Sequence, residues 1–300
     1  MPSSVLQNIQ DAQLELGLSA SSSIVGSGDT GALQLLAIMQ RVGQYLSTEQ
    51  DWQVLAKDYR FKTVVTQLTG TIQSNLTQIV VSSTSGITTD FMVTGTGIQA
   101  DTFVTPVGDG VTLNLSIPAT ETGTALFTFG QAKYAMPSDF RRIIDKTSYN
   151  KSNRWANLGP KSPQEWQWLK SSYVTIGPRI RFRIMGNEIV FWPMPTSNNQ
   201  IMGFEYQSNA WASSASGAPQ TRFLADTDTC VFPDALMVLA AKVGYQDAKG
   251  LDSSANAALF QRELSKFKAA ESGADTLSLA PDISNMLITT SNLPDSGFGQ

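Results

Sequence analysis

Tyr59-Arg60-Phe61-Lys62-Thr63-Val64-Val65 alternates apolar and polar side chains with period two, the pattern of a half-buried strand. From Leu68 the texture changes to Thr, Ser, Gly and Val, and it changes back only at Phe129-Gly130. Residues 68–130 contain no Lys or Arg, and their only acids are Asp90, Asp101, Asp109 and Glu121. Turn residues recur about every eight to twelve positions, which predicts a small all-β module. Strands are expected at Gln78 to Ser82, Phe91 to Thr94, Thr102 to Val107, Thr112 to Ile117 and Ala125 to Phe129. The flanking stretches Arg60 to Val65 and Gln131 to Ala135 then read as a hairpin interrupted by an insertion of about sixty residues. Such a length is tolerated because loop-closure entropy grows only logarithmically.

Outside this segment the periodicity is mostly helical. Val5, Leu6, Ile9, Ala12, Leu14 and Leu16 follow a capping Ser3-Ser4 and stop at Gly17. Asp29 or Thr30 caps a second helix through Leu35, Leu36, Met39, Val42 and Leu46. Ser162-Pro163-Gln164-Glu165 has a capping serine, a proline in the first helical position and a glutamate at the third, so a helix starts there with Trp166 and Leu169 on one face. Pro233 to Ala248 and Ala255 to Ala270 predict two more helices separated by Gly250. Arg179-Ile180-Arg181-Phe182-Arg183-Ile184 alternates strictly, and Gly186-Asn187 turns it into Glu188-Ile189-Val190-Phe191-Trp192-Pro193, a β-hairpin. Ile201 to Ser208 is expected as its third strand, with Arg179, Arg181 and Arg183 together on one face. The fold class that follows is α+β: a helical-bundle core with a small antiparallel β-region, an inserted all-β module and an extended C-terminal arm.

Composition limits the chemistry. The 300 residues are 41% hydrophobic and only 15% charged, with a net charge of −4 and no histidine. Imidazole base catalysis and His-based metal sites are therefore excluded. The single Cys230 cannot form an intramolecular disulfide or a Cys-rich zinc site, which suits a reducing compartment. No stretch reaches the roughly 20 apolar residues of a membrane span, and Met1-Pro2-Ser3-Ser4 does not begin a signal peptide, so a soluble, unexported chain is expected. There is no P-loop, no G-x-S-x-G elbow and no Rossmann fingerprint.

The charge is unevenly placed. Residues 131–188 hold 11 basic and 4 acidic side chains, whereas residues 189–300 hold 6 and 11. Such a basic block can face a polyanion or an acidic partner, or neutralise acids of its own chain or of a neighbouring copy. Composition alone leaves both open. The last segment, Gly273 to Gln300, is polar and aperiodic yet contains Leu277, Leu279, Ile283, Met286, Leu287, Ile288 and Leu293, more apolar residues than a linker needs. It reads as an arm that docks onto another subunit.

A series of short stretches carries a resemblance. These are Trp52-Gln53-Val54-Leu55 with Tyr59-Arg60-Phe61-Lys62-Thr63, then Tyr134-Ala135-Met136-Pro137-Ser138-Asp139-Phe140-Arg141, Pro163-Gln164-Glu165-Trp166, Arg181-Phe182-Arg183-Ile184, Trp192-Pro193-Met194-Pro195, Phe204-Glu205-Tyr206, Phe223 to Thr229 and Ala248-Lys249-Gly250-Leu251. In this order they resemble the head-to-tail adaptor (connector, or head-completion) proteins of tailed bacteriophages. Residues 86–120 resemble a small β-module carried as a guest by phage structural proteins.

The resemblance implies an adaptor core at 1–67 and 131–272, a guest at 68–130, and an arm at 273–300 that grips the portal. It implies a non-enzymatic, commonly dodecameric ring of copies of this chain under the portal. The ring joins the next tail or neck protein and lets double-stranded DNA through its lumen. It further implies assembly in the host bacterial cytoplasm, residence in the virion neck and no cofactor. The guest departs from the family pattern, so the outer shape and any extra partner are open.

Candidate site residues are accordingly interface residues: the seven apolar residues of the arm, and the basic Arg141, Arg142, Arg179, Arg181 and Arg183 for subunit contacts or DNA. A nucleic-acid-binding protein using residues 131–188, with Trp155, Trp166, Trp168, Trp192 and Trp211 as stacking surfaces, is the first alternative. A cell-wall glycosidase using Asp139 is the second, although Pro137-Ser138-Asp139 also reads as a helix start. Asp226-Thr227-Asp228 resembles a cation loop but lacks the glycine and distal glutamate of an EF-hand, so capping is its expected use, and Cys230 is expected to be buried as a small hydrophobe.

Overall fold

The computed structural model describes residues 2–105, 109–171 and 180–271. The chain begins with α1 (Val5–Glu15) and α2 (Thr30–Glu49) and enters β1 (Ala56–Lys62) through a 3-10 turn at Gln53–Leu55. The strands β2 (Val65–Ile72), β3 (Gln78–Val81), β4 (Phe91–Thr94), β5 (Thr112–Asn114) and β6 (Gly123–Gln131) follow. Next come β7 (Lys133–Ala135), β8 (Phe140–Ile143), β9 (Tyr149–Asn150), β10 (Trp155–Ala156) and α3 (Pro163–Ser171). The rest consists of β11 (Arg181–Met185), β12 (Glu188–Trp192), β13 (Ile201–Ser208), β14 (Ala212–Ser213), β15 (Pro219–Gln220), β16 (Thr229–Cys230), α4 (Asp234–Lys249) and α5 (Ser254–Glu271).

Four antiparallel sheets organise the described strands, and this overturns the expected helical-bundle core: the described residues form mostly β-sheet with five α-helices. Helices α1, α2, α4 and α5 do pack together, around Ile9, Leu35, Met39, Trp52, Trp211, Phe232 and Met237. Among the described residues that cluster is one of four, and the other three are built on sheets. The bundle reading fails because two-residue strands such as β9, β10 and β14 to β16 leave no periodic signal, and because the pairing of β1 with β13 joins stretches far apart in sequence.

Two further pairings differ from expectation. β1 and β7, which flank residues 68–130, do not pair with each other: β1 lies against β13, and β7 against β12. The third strand beside the β11–β12 hairpin is thus β7, while β13 is the centre of another sheet, pairing with β1, β8 and β9. In residues 65–131 the sheet order is β4-β6-β2-β3-β5 around Ile79, Val93, Leu113, Phe127 and Phe129. Of the strand expected at Thr102 to Val107, Phe103 and Val104 make isolated bridges.

Strand β12 buries apolar side chains on both of its faces, which explains the position of the β11–β12 hairpin between two layers. Phe182, Ile189 and Phe191 pack toward Phe204 and Tyr206 of β13, whereas Val190 and Trp192 pack toward Trp166 and Leu169 of α3. Among the described residues no helix is long and apolar enough to cross a membrane.

Candidate functional site

The basic block is spent largely inside the chain. Arg141 donates from Nη1 to the Ser47 carbonyl at 2.5 Å and from Nη2 to the Thr48 carbonyl at 3.0 Å. With the Trp52 indole donating to the Leu46 carbonyl at 2.5 Å, it closes the last turn of α2, where unpaired carbonyls and the helix dipole attract a cation. Arg142 pairs with Asp51, Lys133 with Asp90 at 3.2 Å, Lys170 with Asp101 at 2.8 Å, Lys151 with Asp58 at 3.2 Å and Lys161 with Glu165 at 3.5 Å. Two of the four acids of residues 68–130 are therefore partners of lysines outside that segment.

Arg181 and Arg183 share one face of β11, as expected, and both are half-buried opposite Trp192 and Val190. Arg179 and the arm residues Leu277, Leu279, Ile283, Met286, Leu287, Ile288 and Leu293 lie outside the described residues. Trp166, Trp192 and Trp211 are buried, so of the five tryptophans considered for stacking only Trp155 and Trp168 offer exposed rings. Near Arg181 and Arg183, a small cleft of about 120 Å³ lies between β4, α3 and the hairpin, lined by Met92, Phe103, Trp166 and Trp192 and edged by the Asp90–Lys133 and Asp101–Lys170 pairs.

Asp139 is not at a helix start: Phe140–Ile143 is a strand, and the carboxylate is buried beneath it. It accepts from Lys57 Nζ at 2.7 Å, the Tyr206 hydroxyl at 2.8 Å and the Ser208 hydroxyl at 2.7 Å. Burial favours its neutral form, but the donors from Lys57, Ser208 and Tyr206 outweigh that and hold the carboxyl below its ordinary range. An inverting or retaining glycosidase needs a second carboxylate across a cleft, and here the partners are a lysine and two hydroxyls, which suits a structural lock between β1, β8 and β13. Asp226 accepts from the Ile24 and Val25 amides and Asp228 from those of Leu224 and Ala225, so both organise turns, as capping predicts. Cys230 is buried and its thiol is pushed up to about 12, by burial first.

With the catalytic candidates tied into the scaffold, the whole chain is the meaningful unit of comparison. A family model described as SU10 adaptor protein matches residues 33–282. The chain belongs to that family. It is a structural adaptor of a bacteriophage, associated with the virion and in contact with other capsid or tail proteins. A search of curated proteins gave no match. The matched residues start within α2 and run past α5, so they include α4, α5, the sheets and residues 68–130 but not α1.

Sequence reading missed the surface residues of this adaptor that stand free of internal partners. Lys146 and Arg154 are exposed, sit in the turns before and after β9, and have no hydrogen bond or ion pair among the described residues. A usable signal was present in Asp145-Lys146 and Asn153-Arg154, turn-forming residues each followed by a cation.

Proposed function

We propose that this adaptor assembles into a closed, dodecameric ring beneath the portal, joins it to the next tail or neck protein, and leaves a lumen through which the double-stranded genome passes. The membership in the SU10 adaptor protein family, over residues 33–282, is the observation that carries the reading. The internal use of the basic block supports it. Double-stranded DNA carries about one charge per 1.7 Å of axis, and a conduit that gripped those phosphates would resist sliding. Residues 273–300 serve as the portal-gripping arm, residues 68–130 as a guest module on the outside, and assembly occurs in the host cytoplasm before incorporation into the neck.

The nucleic-acid-binding alternative needs the cations of residues 131–188 to be free to meet phosphates, and six of the eleven are engaged with acids or helix carbonyls. Co-sedimentation with the portal of the same phage tests the proposal. The full chain is expected to pellet with portal particles, and a chain lacking residues 273–300 to do so far more weakly. A full chain that stays in the supernatant at micromolar concentration overturns it.

A further inference from the structure

Lys146 and Arg154 are unlike the other cations of their segment. Both are exposed, and both hold left-handed backbone, with φ of 62° and 58°, a conformation that long side chains rarely adopt. They line one open cleft of about 550 Å³ together with Asp58, Tyr149, Lys151 and Glu205. The cleft sits on the β9–β10 hairpin, and β10 is the outer strand of its sheet. Beside Arg154, the Trp155 ring is 52% exposed, and Tyr149 is 37% exposed. Arginine, tryptophan and tyrosine are the side chains that most often dominate binding energy at protein interfaces.

The charges of the cleft select the kind of partner. Asp58 is already neutralised by Arg60 at 2.6 Å and Lys151 at 3.2 Å, which leaves Glu205 as the acid of the lining without an ion-pair partner among the described residues. A phosphate backbone would meet Glu205 with like charge. A protein surface with discrete carboxylates and an apolar contact fits a cleft that is cationic in excess but mixed.

This chain carries such a surface elsewhere. Asp11 and Glu15 lie one turn apart on α1, and Leu14 beside them is 62% exposed. With Asp234 and Leu239 of α4 they line a groove of about 480 Å³. Glu15 is paired with Lys242, and Asp11 has no ion-pair partner among the described residues. A patch and its complement on different elements of one chain form a head-to-tail contact, the kind that generates rings when its rotation closes.

We infer that the β9–β10 edge docks on the α1–α4 groove of a second copy, with Lys146 and Arg154 facing Asp11 and with Trp155 against Leu14. The inference rests on the ring reading and specifies its subunit contact.

The test is mass photometry of the full chain across a concentration series at moderate salt, comparing wild type with Arg154→Glu, Asp11→Arg, the two combined in one chain, and Trp155→Ala. All three positions are exposed, so melting curves should match wild type and exclude misfolding. Each single substitution is expected to raise the concentration for half-assembly at least tenfold, and the combined charge swap to recover most of the loss. If wild type assembles and the single variants assemble equally well, or the swap recovers nothing, the inference is overturned while the ring reading stands. Arg154→Glu that assembles normally but loses retention on DNA assigns the cleft to nucleic acid and also overturns it. A wild-type chain that remains monomeric with and without portal overturns the ring reading itself.

Discussion

The Arg141 guanidinium bonds the Ser47 carbonyl at 2.5 Å and so ties the start of β8 to the end of α2, 94 residues earlier in the chain. This one contact joins the helical layer to the β1–β13 sheet. Arg141→Ala should destabilise the protein by about 1–2 kcal/mol, the scale of a charged hydrogen bond at a helix C-terminus. Arg141→Lys should recover only part, since an ammonium lacks the planar fork that reaches Ser47 and Thr48 together. Urea unfolding measures both, and an unchanged midpoint for Arg141→Ala would contradict this role.

Gly43 lies inside α2, where alanine would ordinarily add about 1 kcal/mol of helix stability. A Cβ there would stand 2.4 Å from the ring of Trp211, which is fully buried and packed edge-on against Phe223. Overpacking should therefore reverse the sign, and Gly43→Ala is expected to lose about 1–3 kcal/mol. A higher melting temperature for this variant would show that the Trp211 pocket yields more readily than the close contact implies.

Asp139 makes stability depend on pH. Its folded carboxyl is held below the range it has in the unfolded chain, so in that window the unfolded state binds more protons. The stabilisation is present above the unfolded value near about 4 and is lost as pH falls through the folded one. Asp139→Asn should cost about 2 kcal/mol at pH 7, because Lys57 and the two hydroxyls lose their shared anion, and the cost should shrink as acidification protonates the carboxyl. A pH-independent difference between the two proteins would count against the carboxylate as the source.

Cys230 is buried against Trp211 and Phe232, and its thiol is raised to about 12 by that burial. Native protein should not react with an aromatic disulfide reagent at pH 8, and denatured protein should release one equivalent. Rapid labelling of the native chain would place the α4 entry in an open state.

The helices were readable because their signals are local. Ser4 accepts from the Gln7 amide, Asp29 from the Gly31 amide and Ser162 from the Glu165 amide, and Gly250 ends α4 with φ of 69°, all as the capping residues predict. The β11–β12 hairpin was readable for the same reason, through the Gly186-Asn187 turn. What escaped was non-local. Nothing near Tyr59 announces Phe204 as its cross-strand partner, and nothing near Asp139 announces Lys57, Tyr206 and Ser208. The same blindness left the basic block undecided, since Lys133 and Lys170 find their acids at Asp90 and Asp101, far from them in the chain.

Ring assembly on the portal is measured by mass photometry of the chain mixed with the portal of its phage. A single complex heavier than the portal by a whole ring of 32.4 kDa subunits is expected, formed without intermediate occupancies at saturating concentration. A portal whose mass is unchanged, or that gains one or two chains in a continuous distribution, would contradict it.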